Sequence, residues 1–209
     1  MPSLADKLKS LGVKVGTSHL SPPPPASQTI DSVVAGSFIP TPRGEAFVAE
    51  QTFGDGYLHG KVSPLSDFPL SLIAQWANDP RIASLPISKF AFLDTETSGM
   101  AGGTGTYAFL VGAARFVDGK FVLKQFFLRD PSEEPAMLEA LIDFLAPCEV
   151  LVTFNGKAFD APLLTTRYSL HRIPVPFKGY AHLDLLPLAR RLWRDRLPSR
   201  ALKYLEEHI

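Results

Sequence analysis

From residue 89 onward, apolar stretches short enough for strands are first close together and then separated by segments of helical length. The first three, "KFAFLDTE", "GTYAFLVGAARFV" and "FVLKQFFLRD", follow one another with no helical pattern between them. "DGK" (118–120) joins the second to the third and suits a tight hairpin turn. "PSEEPAMLEALIDFLA" then reads as a helix, with Ser132 as the expected N-cap and early glutamates that favour a helix start. "EVLVTFNG" is a fourth strand, almost wholly apolar and so expected to be buried on both faces. "DAPLLTTRYSLHR" is a second helix, "AHLDLL" a fifth strand, "PLARRLWRDRL" a third helix, and "SRALKYLEEHI" opens a fourth. The order βββαβαβα admits few arrangements. It predicts an α/β fold in which an antiparallel unit is extended by parallel strands, with helices on both faces.

The residues before this pattern differ in character. "MPSLADKLKSLGVKVG" places Leu4, Leu8 and Leu11 at helical spacing around Lys7 and Lys9, a short amphipathic helix rather than a secretory signal. "TSHLSPPPPASQT" (17–29) is a proline-rich linker. Residues 31–66 hold β-prone stretches ("EAFVAEQTF", "GYLHGKV"), and "FPLSLIAQWANDPRIASL" is helical with Pro80 as an interruption. The expected organisation is therefore a helix and linker over 1–30, a small β-rich extension with a helix over 31–88, and an α/β domain over 89–209. A chain of 209 residues can bury a sizeable core. No apolar run approaches membrane-spanning length. The single cysteine, Cys148, excludes an internal disulfide framework and fits a reducing cytoplasm.

The chemistry centres on "FLDTETSG". Asp94 and Glu96 stand at i and i+2, so on a strand both carboxylates leave the same face. Two carboxylates held that close repel one another unless a cation or proton lies between them. They close a strand expected to be central, at the carboxyl edge where active sites of such sheets gather. Asp160, in "TFNGKAFDAPLL", follows the fourth strand, which in this topology lies beside the first. Alone, Asp160 before Ala161 and Pro162 reads first as a helix N-cap, and the two roles can coexist. Three hard oxygen ligands at one edge suit magnesium or manganese. A P-loop is excluded because "GMAGGTGTY" has no lysine. The five histidines show no zinc-ligand spacing; only His182, two residues before Asp184, stays in view. Charge is uneven within a net balance of zero. Residues 167–203 hold nine basic side chains and only Asp184 and Asp195 as acids, which suits a phosphate backbone or a solvated helix face.

"FLDTETSG", "TFNGKAFDAPLL" and "AHLDLLPLARRLW" together resemble the RNase H-like fold of the DEDD (DnaQ-like) exonuclease superfamily, most of all its bacterial YprB-type branch. The resemblance spans residues 89–209. It implies a mixed sheet of order 3-2-1-4-5, metal ligands at Asp94, Glu96 and Asp160, magnesium or manganese as cofactor, and 3′–5′ hydrolysis of DNA or RNA at single-stranded or 3′ ends. It places Asp184 behind the ligands or at the rim of the site, and Thr97, Asn155, Lys157, Arg190 and Arg191 as candidate nucleic-acid contacts. For the "NGK" residues a turn role is equally open.

The superfamily's fourth acid belongs to a later helix, and this chain ends inside "ALKYLEEHI" before reaching it, which reads as a fragment or a shortened protein. Glu206, Glu207 and His208 read as a solvated helix face. Two functions from different classes follow: a metal-dependent nuclease, or a nucleic-acid-binding module that keeps the fold without turnover.

Overall fold

A computed structural model of the chain describes residues 29–54, 56–63, 69–99 and 105–208. The expected N-terminal helix, nearly all of the proline-rich linker and the middle of the glycine-rich loop lie outside them.

The strands are β1 (Ser37–Thr41), β2 (Gly44–Phe53), β3 (Phe90–Thr97), β4 (Ala108–Val117), β5 (Lys120–Phe127), β6 (Val150–Thr153) and β7 (Ala181–Asp184). The helices are α1 (Leu70–Ala77), α2 (Arg81–Ser84), α3 (Glu134–Leu145), α4 (Asp160–Leu170), α5 (Leu185–Leu192) and α6 (Leu202–His208). All seven strands form one sheet in the order β1-β2-β5-β4-β3-β6-β7. Its last five members are the expected 3-2-1-4-5 arrangement. β3 runs antiparallel to β4 and parallel to β6, which places it centrally.

The β4–β5 hairpin turns through Asp118 and Gly119, both with positive φ (48° and 76°), as a tight two-residue turn requires. The N-terminal extension continues this sheet, since β2 pairs along its whole second half and more with β5. β1 has no counterpart in the sequence reading, because Pro40 and Pro42 disguise it. At the outer edge of the sheet a proline forfeits no ladder bond that matters. "GYLHGKV" forms no strand, only a single bridge between His59 and Val62.

Strand periodicity divides the core in two. Ala91, Leu93, Val111, Ala113 and Leu151 face α3 and α4, packing on Leu138, Leu141, Leu145 and Leu164. Phe90, Val150, Val152, Ala181 and Leu183 face the other way, onto Ala74 of α1 and Ile82 of α2. β6 is buried at all four positions. α1 stops at Asn78, whose left-handed backbone (φ 54°) separates it from α2 at the expected proline break. α3 differs from expectation at its start. Asp130, not Ser132, is the cap: it accepts from the Ser132 amide at 2.8 Å and opens a 3₁₀ turn before the helix. The Ser132 hydroxyl is itself spent on Asp130, to which it donates at 2.6 Å, so it is not available to cap a helix amide. Cys148 is buried and unpaired, packed in the larger core as a small apolar side chain. Among the described residues no helix is long and apolar enough to cross a membrane.

Candidate functional site

Asp94 and Glu96 end β3 opposite Gly112 and Leu110 of β4, and a bulge between Glu96 and Thr97 breaks the ladder just beyond them. Both are exposed and neither carries an ion pair among the described residues. They share a face with Phe90 and Phe92, on the α1–α2 side. Thr95 between them points to the opposite face, where its hydroxyl donates to Asp160 Oδ1 at 2.5 Å. The three acids therefore stand at the carboxyl edge on two sides of the sheet. β3 contributes two from one face, and the start of α4 contributes the third from the other.

Asp160 is only 6% exposed, and the described residues provide it no cationic partner. Its side chain does not cap α4. Phe159 occupies the cap position, with no side-chain cap bond, while Asp160 is the first helical residue and is committed to Thr95. The cap reading of Asp160 is therefore not realised, since its carboxylate bonds to Thr95 instead. Although Asp94 as a residue is exposed, neighbouring groups partly desolvate its carboxyl; that desolvation, then the negative charges of Asp160, Glu96 and Glu206, holds it above its ordinary range, and the Thr95 amide opposes this. Glu206 is exposed on α6, as expected of a solvated face, yet its charge reaches the site. Its position two residues from the end of a solvated helix gave no hint of that.

Asp184 does different work. Its Oδ1 accepts from the Asn155 amide at 2.7 Å and the Leu186 amide at 3.0 Å, and its Oδ2 from the Lys157 amide at 3.1 Å. It thus caps α5 and clamps the β6–α4 loop with one carboxylate. Asn155 adopts left-handed backbone (φ 69°), and Gly156 packs so tightly that a Cβ there would lie 2.5 Å from Thr153 Cβ. The "NGK" backbone is a turn held from below. Lys157 is exposed, and its charge acts on Asp79 and His182. His182 hydrogen-bonds Thr153 Oγ1 through Nε2 at 2.9 Å. Burial, then Lys157, lowers its pKa against the pull of Asp184 and Asp160. Thr97 donates to the Gly99 carbonyl at 2.9 Å. Arg190 and Arg191 are exposed in the last turn of α5.

The basic segment is not all surface. Arg167 forms a bidentate pair with Glu134 (2.7 and 2.5 Å), which His171 joins at 2.5 Å, bridging α3 and α4. Glu134 is 2% exposed. Arg167 is thus withdrawn from any phosphate-binding face. The sequence signal was slight: Glu134 resembles any acid in a first turn, and Arg167 any arginine in a basic run.

A hard divalent cation fits the donor chemistry of this edge. A buried carboxylate without a cation stands beside a second one whose charge is already disfavoured, and all donors are oxygens. As the side chains stand, no three acid or imidazole groups among the described residues converge to hold an ion. Asp94 with Asp160 is the electrostatically coupled pair, and Glu96 flanks it.

A family model described as the RNase H superfamily matches residues 91–209. The uncharacterized protein YprB of Bacillus subtilis (strain 168) is 40% identical over 119 residues, which is 56% of this chain. That match spans 28% of YprB's own length.

Proposed function

This chain belongs to the RNase H superfamily, and from that premise we infer that it is a metal-dependent nuclease acting on DNA or RNA from 3′ ends. The observation that carries the reading is Asp160: buried, uncompensated by any described cation, hydrogen-bonded to Thr95 and electrostatically coupled to Asp94. Asp94, Glu96 and Asp160 would hold the magnesium or manganese ions. What such a pair of ions supplies when bound is Lewis acidity toward a phosphodiester oxygen and a more acidic water.

The chain's own residues have separate tasks. Thr95 fixes the orientation of the Asp160 carboxylate from the far side of the strand. Asp184 keeps the neighbouring loop in place, which leaves the Lys157 side chain free for a backbone phosphate. Arg190 and Arg191 extend a positive surface from α5, and Thr97 lies next to Glu96 for a strand entering the edge. The one buried cysteine agrees with a cytoplasmic protein.

The test is incubation of end-labelled single strands, deoxy- and ribo-, with manganese. Stepwise shortening from the 3′ end that Asp94→Asn and Asp160→Asn abolish is the expected result. The unconverged acids favour a second reading, a binding module without turnover. That reading predicts retention of the strands with no shortening. Calorimetric manganese binding that Asp94→Asn removes is expected under the first, and its absence from the wild type refutes the metal site.

A further inference from the structure

Arg115 leaves β4 on the α3 side of the sheet, between Ala91 of β3 and Val122 of β5, near the sheet's amino edge. It is half-buried, and its Nε is wholly buried with no hydrogen-bond partner. Among the described residues no carboxylate or carbonyl accepts from its guanidinium. What it touches is the ring of Phe144 on α3, with Cζ 5.0 Å from the centroid. That ring is shared. Lys124, diagonal to Arg115 across the β4–β5 pair, holds its Nζ 5.4 Å from the same centroid. Two cations therefore stand on one aromatic side chain that is itself only 6% exposed. Glu50 answers Lys124 at 3.1 Å and is half in solvent, whereas no described residue answers Arg115. The charges of Arg115 and Lys89 also reach the buried Cys148 thiol, so the positive potential extends past the end of α3. A ring shared between two like charges does not replace the hydrogen bonds that a guanidinium loses on burial. Methionine would fill the same space against Phe144 without that cost. Packing alone does not call for a charge here.

We propose that Arg115 and Lys124 form a binding site for a phosphate group, on the opposite face of the sheet from Asp94 and Glu96. A guanidinium presents paired N–H donors that match two phosphate oxygens, and that of Arg115 has its donors unspent. Lys124 has three N–H donors for its one carboxylate partner, which leaves it able to reach a further oxygen. A phosphate monoester carries close to two negative charges at neutral pH, so one ligand neutralises both cations. A carboxylate brings only one charge. With both cations on the buried Phe144 ring, no aromatic face is open for a nucleobase, and the phosphate group itself is what the site recognises. The inference goes beyond the nuclease reading and does not depend on it.

The test is calorimetry of the full chain with inorganic phosphate, in EDTA at constant ionic strength, repeated with a nucleoside 5′-monophosphate as competitor. The wild type should bind phosphate at one site. Arg115→Met should bind it about 10- to 150-fold more weakly, the loss expected for hydrogen bonds to a charged group. Lys124→Gln should weaken it by a smaller factor and carries the comparison if Arg115→Met does not fold. Phosphate should also raise the melting temperature of the wild type and leave that of Arg115→Met unchanged. Without phosphate, Arg115→Met should melt no lower than the wild type, because an unanswered charge has been removed. A lower melting temperature there means that the charge already has its partner, and overturns the proposal. So does an absence of phosphate binding by the wild type, or binding that both variants keep. Equal affinity for phosphate and the monophosphate shows that the group alone is recognised, and a monophosphate that fails to compete assigns the site to free phosphate; both leave the site standing. Much tighter binding of the nucleotide contradicts the closed ring and overturns the assignment.

Discussion

Replacing Arg167 with methionine strips Glu134 of its bidentate partner while keeping a long apolar side chain between α3 and α4. Glu134 is 2% exposed and Arg167's side chain 13%, so water cannot replace what is lost. Breaking a buried pair from one side leaves an uncompensated charge. His171, on Oε2 of Glu134, stays as a partial partner. The cost is therefore set at about 3 kcal/mol, the lower end of what such pairs show. For a chain of this size that is a fall of about 6–12 °C in melting temperature.

The pH dependence follows from Glu134. Burial pushes its carboxyl up most strongly, but the hydrogen bonds and charges of Arg167 and His171 outweigh burial and hold it below its ordinary 4.5. A depressed carboxyl contributes stability that is complete above the ordinary value and lost as pH falls through the folded one. The gap between wild type and Arg167→Met should be full near neutral pH and close below about pH 4.5, where Glu134 begins to take up a proton. Thermal melts across that range measure it. Adding Glu134→Leu to Arg167→Met should recover most of the loss, because no buried charge remains. A variant that melts within about 2 °C of wild type at neutral pH, or a gap that widens on acidification, refutes the reasoning.

Thr95→Val keeps the strand-favouring shape but removes the donor to Asp160, and should cost about 1–2 kcal/mol in chemical denaturation. The same change in an Asp160→Leu background should cost little, since the acceptor is already gone. Asp184→Ala frees three backbone amides at once and should cost about 2–3 kcal/mol. Hydrogen exchange should show the loss concentrated at residues 155–157 and at the start of α5.

Most of the fold was legible locally. The apolar pattern of β3 to β7, the Asp118–Gly119 turn and the break at Asn78–Pro80 are each visible in a handful of consecutive residues. Backbone periodicity is a short-range property, and the i, i+2 spacing of Asp94 and Glu96 carries it to the site. The edge strand β1 escaped because its prolines contradict strand propensity, and only its place at the sheet's rim makes them harmless.

The nearness of the candidate acids was legible in the sequence, but their wiring was not. That Asp94, Glu96 and Asp160 share one edge follows from strand order. That Asp160 arrives from the opposite face and turns to Thr95, 65 residues away, does not. Nor does the sequence announce that Asp184 spends its carboxylate on amides of the neighbouring loop, or that Arg167 leaves the basic surface to pair with Glu134. Each of these is a contact between elements 27 to 65 residues apart. Such contacts are selected by which buried polar groups remain to be satisfied once the helices have packed on the sheet. Alone, the sequence determined the strands, their periodicity and the acids at their ends. Only packing in three dimensions decided which of those acids are partnered and which one is left buried without a cation.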